Sequence, residues 1–169
     1  MAESRACLAS VESYSQPMTS TDFERMRASA SERLALLLES YRRLTGEVLA
    51  ADADALWNTP HAVLAHDRAA PPVFFYANAR TLSLFKRSAD EMIGLPSHLS
   101  AEPEAREERA AMFAKLEAED IVTGYSGLRV ASDGSRFRIL NATIWNLRDT
   151  SGTLHGQAAR VDEVEMLSR

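Results

Sequence analysis

Apolar residues recur in steps of three and four from Phe23 to Leu44, through Met26, Ala30, Leu34, Leu37 and Tyr41, before Gly46 interrupts the pattern. That spacing puts them on one face of a helix, and Thr21 with Glu24 supplies capping-box chemistry at its start. One long amphipathic helix over residues 21–46 is predicted. Its steps are close to a heptad, so Phe23, Met26, Leu34, Leu37 and Tyr41 are candidates for a contact with a second copy of the chain or for a cover over its own sheet. Residues 1–20 are rich in Ser, Ala and Thr, include Pro17 and show no period, which predicts a disordered leader.

Beyond Gly46 the pattern shortens. Asp52 can cap a turn reaching Trp57, closed by Pro60, and two strand-like runs follow at His61–Asp67 and Val73–Ala77. Pro71 and Pro72 between them lack amide donors, so the runs read as an antiparallel hairpin around a loop. The stretch YANARTLSLFKRSADEMIGLPSHL, Tyr76 to Leu99, then breaks repeatedly. Asn78 can cap a helix over Ala79–Phe85, Ser88 and Glu91 form a capping box, and Gly94 with Pro96 prevents continuation. Short helices in such a row wrap around something instead of crossing a sheet in one pass. A longer helix opening near Pro103 and running to about Asp120 carries Met112, Phe113 and Leu116 as its buried stripe. Three strand-like runs separated by the turns SDGS and DTSG close the domain, leaving residues 163–169 as a tail. The order predicts an α+β domain in which a five-stranded antiparallel sheet carries its helices on one face.

FFYANARTLSLF followed by SADEMIGLP resembles the PAS superfamily. More of the chain, through LLLESYRRLTG, AHDRAAPPVFFYAN, IGLPSHLSAEPEAREERAAMF and FRILNATIWNLRDTSGTLHGQAA in that order, is similar to the MEKHLA family of PAS-like domains, from about Leu34 to Arg160. The resemblance implies a PAS-like domain over residues 47–162, a sensory or protein-interaction role, and no established catalytic residues. It also implies a cup between sheet and helices, and an N-terminal flanking helix of the kind through which PAS domains dimerise and transmit strain. In flavin-binding relatives, Asn and Gln amides on late strands meet the ring, so Asn141 and Gln157 admit flavin as a cofactor. The light-sensing version needs a cysteine among the helices, and Cys7 is the only cysteine, so adduct photochemistry is excluded.

Composition narrows the function further. Twenty-four acidic against 19 basic side chains give a net charge of −5, which opposes direct nucleic-acid binding. No apolar run approaches the roughly 20 residues that span a bilayer, and the N-terminus lacks a secretory pattern, so a cytoplasmic protein is expected; the resemblance implies in addition a homodimer that signals to another protein. Candidate pocket residues are Tyr76, Asn78, Asn141, Trp145 and Gln157, with Asn141, Thr143 and Trp145 sharing a face if no bulge intervenes. Helix capping by Asn78 and sheet-bound amides at Asn141 and Gln157 are the structural alternative. His61 and His66 lie five apart, which sends them to opposite faces of a strand and argues against a metal site. His98 and His155 are placed near the pocket mouth. Arg129, Arg136 and Arg138 are read as a solvated face or a small anion patch. Two other readings stay open: a cone-shaped α+β enzyme or binding protein with His66 and Asp67 at a polar cavity, and a pure dimerisation domain whose cup is filled by Phe74, Phe85, Met92, Leu95 and Phe113.

Overall fold

A computed structural model describes residues 20–102 and 106–167. The leader expected over 1–20 therefore lies outside the described residues, apart from Ser20 at the start of the first helix. That helix is not one but two. α1 (Ser20–Ala30) ends where Ser31 turns left-handed at φ 50°, and α2 (Arg33–Thr45) resumes after the bend and stops at Gly46 with φ 76°. Ser29 and Ser31, weak helix formers, stand at the bend, and the Ser29 hydroxyl donates to the Phe75 carbonyl at 2.7 Å, which ties the end of α1 to the strand that carries Phe75. The bend lets the two halves pack differently. α1 meets the following short helices, where Ala89 N–H donates to the Asp22 carboxylate and Arg25 pairs with Asp90, while α2 lies along a central strand.

α3 (Ala53–Asn58) starts at Asp52, whose carboxylate accepts from Ala55 N–H at 2.8 Å. β1 (Ala62–His66) and β2 (Phe74–Ala77) form the expected antiparallel hairpin. α4 (Ala79–Phe85) and α5 (Ala89–Met92) follow with the Asn78 cap and the Ser88–Glu91 capping box that their sequences predict. After Gly94 the chain runs beside β2, with Gly94 N–H to Phe74 C=O at 2.9 Å and Phe74 N–H to Leu95 C=O at 3.0 Å, which covers an otherwise open strand edge. A short 3-10 turn (Ser97–Ser100) leads to α6 (Arg106–Glu119).

β3 (Ile121–Val130), β4 (Arg136–Arg148) and β5 (Leu154–Val161) complete an antiparallel sheet in the order β2-β1-β5-β4-β3. The first and last of the five main strands are thus neighbours, with Ala62 opposite Val161 and His66 opposite Gln157. That adjacency is absent from the cone-shaped alternative. The expected tail contains one more strand, β6 (Glu163–Met166), which continues past Asp162 along β4. Gly156 marks where β1 and β5 come closest. Its φ is +150°, and a β-carbon there would meet the His66 carbonyl oxygen at 2.0 Å.

The helices do not all share one face. α4 and α6 roof one side of the sheet, and α1–α2 cover the other. Met26 and Leu37 are fully buried and Tyr41 nearly so, while Phe23 and Leu34 pack partly buried against the same core. Of the two roles open to this stripe, the cover over the chain's own sheet accounts for most of its apolar residues.

Candidate functional site

Strand register builds the floor of the cup. Ala62, Leu64 and His66 on β1 stand opposite Val161, Ala159 and Gln157 on β5, and alternation turns all six to the side roofed by α4 and α6. Leu84 and Phe85 come down from α4, Met112 and Phe113 from α6, and the Phe85 ring meets Phe137 edge-on at 5.1 Å. Phe74, Phe85 and Phe113 therefore do occupy the cup, as its filled version requires; Met92 is buried elsewhere in the core and Leu95 packs at its edge. A cavity of about 60 Å3 remains, walled mainly by hydrocarbon.

Against that wall stand two arginines. Arg109 of α6 and Arg129 of β3 are each only 8% exposed, and both line the cavity. Arg109 donates to the Ser97 carbonyl at 3.2 Å and is within 3.5 Å of its hydroxyl, but its Nε has no partner. Burial, with the Arg129 charge nearby, pushes Arg109 down to about 10. Tyr125, Gly127 and Arg129 alternate along β3, and a β-carbon on Gly127 would come within 2.9 Å of both the Tyr125 hydroxyl and Arg129 Nη1. Glycine thus lets the two polar ends converge, yet the buried Tyr125 hydroxyl has no hydrogen-bond partner. Among the described residues no carboxylate pairs with Arg109 or Arg129.

His66 completes the polar set. Its ring sits 6.3 Å from Phe74 and 5.8 Å from Phe113, and Nδ1 donates to the Asp67 carbonyl at 2.9 Å, leaving Nε2 as an acceptor in the neutral ring. Burial lowers its pKa, and the Arg109 charge acts in the same direction. Asp67 forms no acid–base pair with it. The Asp67 carboxylate accepts from Ala69 and Val73 N–H at 2.9 and 3.0 Å and so organises the β1–β2 loop.

Of the five predicted pocket residues, only Gln157 lines the cavity. Asn78 is fully buried but faces the backbone: its Oδ1 accepts from Val63 N–H at 3.0 Å, Thr81 N–H at 3.2 Å and the Thr81 hydroxyl at 2.8 Å, and its Nδ2 donates to Leu56 and His61 carbonyls. Trp145 lies on the opposite face, where its indole N–H donates to Ser40 at 2.9 Å and its ring meets Tyr41. Tyr76 pairs with Ala65 in register and is buried outside the cavity, which raises its pKa. Asn141 is exposed at φ 52°, beside a register shift between β3 and β4; the bulge that breaks the face-sharing rule is real. Nor do His98 and His155 line the cavity: His155 pairs with Asp149 at 2.8 Å. His61 contacts Asp162 and Arg160 and does not converge with His66.

The amide pair that a flavin ring would meet is not assembled, because Asn141 is outside and Gln157 already donates to Asn146 at 3.1 Å. The cavity is also well below the roughly 300 Å3 of an ordinary cofactor pocket. In this conformation the residues do not fit a three-ring cofactor. Gln157 instead begins a polar chain out of the cup. Asn146 Nδ2 donates to Asp120 at 2.8 Å, Arg148 Nε donates to the same carboxylate oxygen, and Arg43 of α2 reaches the Arg148 carbonyl. The Asn146 and Arg148 hydrogen bonds hold the Asp120 carboxyl below its ordinary value.

Sequence reasoning missed Arg109 and misplaced Arg129. Arg109 falls three and four residues before Met112 and Phe113 and seven before Leu116, so a charge within the apolar stripe of α6 was the available signal.

The family model for the MEKHLA domain matches residues 31–166. Among solved structures, the PAS domain of a protein from Colwellia psychrerythraea is similar at a TM-score of 0.58 and 17% identity, over 66% of this chain and 92% of that one. A light-oxygen-voltage domain studied with a flavin analogue is similar at 0.55 and 20% identity, over 69% of this chain and 84% of that one. No curated protein matches the chain.

Proposed function

Because the chain belongs to the MEKHLA domain family of PAS-like domains, we propose that it works as a sensory module which takes a small molecule into the cup between its sheet and α4–α6. The observation that carries this reading is the buried polar set of Arg109, Arg129 and His66 that lines an otherwise apolar cavity, with the buried, unpartnered Tyr125 hydroxyl beside it. A core built only for packing gains nothing from a buried guanidinium without a counter-ion, which is destabilising unless something else pairs with it. The output element is α1–α2, to which the Gln157–Asn146–Asp120–Arg148–Arg43 hydrogen bonds lead; occupancy that moves Gln157 would be felt there by a partner protein. Catalysis forms no part of the proposal.

Native mass spectrometry tests it on chain purified under mild conditions. A retained small molecule released by denaturant supports a receptor, provided Ala159→Phe, which fills the cup from β5, abolishes retention. Ligand-free protein from every preparation, together with an Ala159→Phe variant that only melts higher, supports a closed core instead. Absorbance of the same sample checks for flavin.

A further inference from the structure

We infer that the molecule taken by the cup is a small organic anion, a monocarboxylate on a slender apolar body, met by Arg109, Arg129 and the Tyr125 hydroxyl. This rests on the receptor reading above and names its ligand class. The Arg109 Nε and the Tyr125 hydroxyl are buried donors without an acceptor among the described residues, and the Arg129 guanidinium, which gives one N–H to the Leu128 carbonyl at 2.7 Å, has no carboxylate beside it; Arg109 and Arg129 reach the cavity from α6 and β3, with the Tyr125 hydroxyl next to Arg129 over Gly127. A carboxylate offers two oxygens for such a set, and its charge relieves the repulsion between two buried guanidiniums.

The rest of the lining selects the body. Leu64, Phe74, Met112, Ile139 and Ile144 offer hydrocarbon, so a ligand that is charged throughout would lose its hydration without replacement. Phosphate, with more oxygens and stronger hydration than three donors satisfy, fits poorly. The cavity of about 60 Å3 holds a carboxylate and the first carbons of an aliphatic chain, and a longer chain enters as the flexible Met112 side chain gives way, whereas a fused ring system needs several times that volume. Gly127 is part of the device: its lack of a side chain is what allows Tyr125 and Arg129 to reach the same point, and its φ is not one that demands glycine.

Calorimetric and NMR titration of the full chain with sodium hexanoate, hexan-1-ol and inorganic phosphate tests the assignment. Hexanoate is expected to bind saturably, at least tenfold more tightly than hexan-1-ol, with phosphate inert. Arg109→Met should weaken hexanoate at least tenfold and leave hexan-1-ol unchanged, and its ligand-free melting temperature should equal or exceed that of the parent, which a structural arginine would not allow. Gly127→Ala should weaken hexanoate in the same selective way, should Arg109→Met fail to fold. Equal binding of hexanoate and hexan-1-ol, indifferent to Arg109→Met or Gly127→Ala, overturns the anion assignment and leaves a receptor for neutral molecules. Absence of binding by all three probes, with cup amides unmoved, overturns the anion assignment; with ligand-free protein also found by native mass spectrometry, the receptor reading falls too.

Discussion

Single residues in this domain divide into those that hold the backbone and those that face the cup. Asn78 belongs to the first kind, since one amide satisfies donors on β1 and α4 and acceptors before β1. Asn78→Ala removes a cap and orphans buried backbone groups, so denaturant unfolding should show a loss of about 3 kcal/mol. His66 belongs to the second. Its folded pKa lies below the unfolded value of 6.5, so the neutral ring's contribution to stability is complete above about pH 6.5 and is lost as pH falls toward the folded value. Urea midpoints measured between pH 7.5 and about 5 should therefore fall more steeply for the parent than for His66→Leu; parallel curves would show that the ring gains protons equally in both states. Asn78 was legible in the sequence as a cap because capping is local. Arg129 was not, because whether a strand arginine points to water or to a cup is decided by which face the distant α6 covers.

At the scale of elements, local chemistry predicted well where the signal was a stop or a cap. Gly46, Asp52, Ser88 with Glu91, and the two hairpin turns all act where their sequences place them. Periodicity alone did less well. The stripe from Phe23 to Leu44 keeps its phase across Ser31, so the bend was invisible until the Ser29 hydroxyl was seen bonded to β2. Likewise Asn141, Thr143 and Trp145 share a parity on paper, and the bulge separates Asn141 from the others. Leu37 follows from the packing of α2. With its side chain fully buried, Leu37→Ala should lower the unfolding free energy by about 3 kcal/mol. Leu37→Glu should unfold the domain as seen by circular dichroism; a folded variant with altered mass in light scattering would instead restore the dimer-face reading.

The whole molecule is a sheet covered on both sides by helices that differ in kind. α1–α2 close their face with large buried side chains and a Trp145–Ser40 hydrogen bond, whereas α4–α6 leave a cavity with charge in it. No helix among the described residues is long and apolar enough to cross a membrane. The order of elements followed from the sequence and its family resemblance, but the content of the cup did not, because it depends on residues from β1, β3, β5 and α6 meeting in space. NMR of methyl-labelled protein under xenon pressure tests the central claim, an accessible apolar cup on the α4–α6 side, most directly. Saturable shifts at Leu64, Met112, Ile139 and Ile144, with Leu37 and Leu147 unmoved, are the predicted result. Silent cup methyls, or shifts of equal size beneath α2, would contradict it.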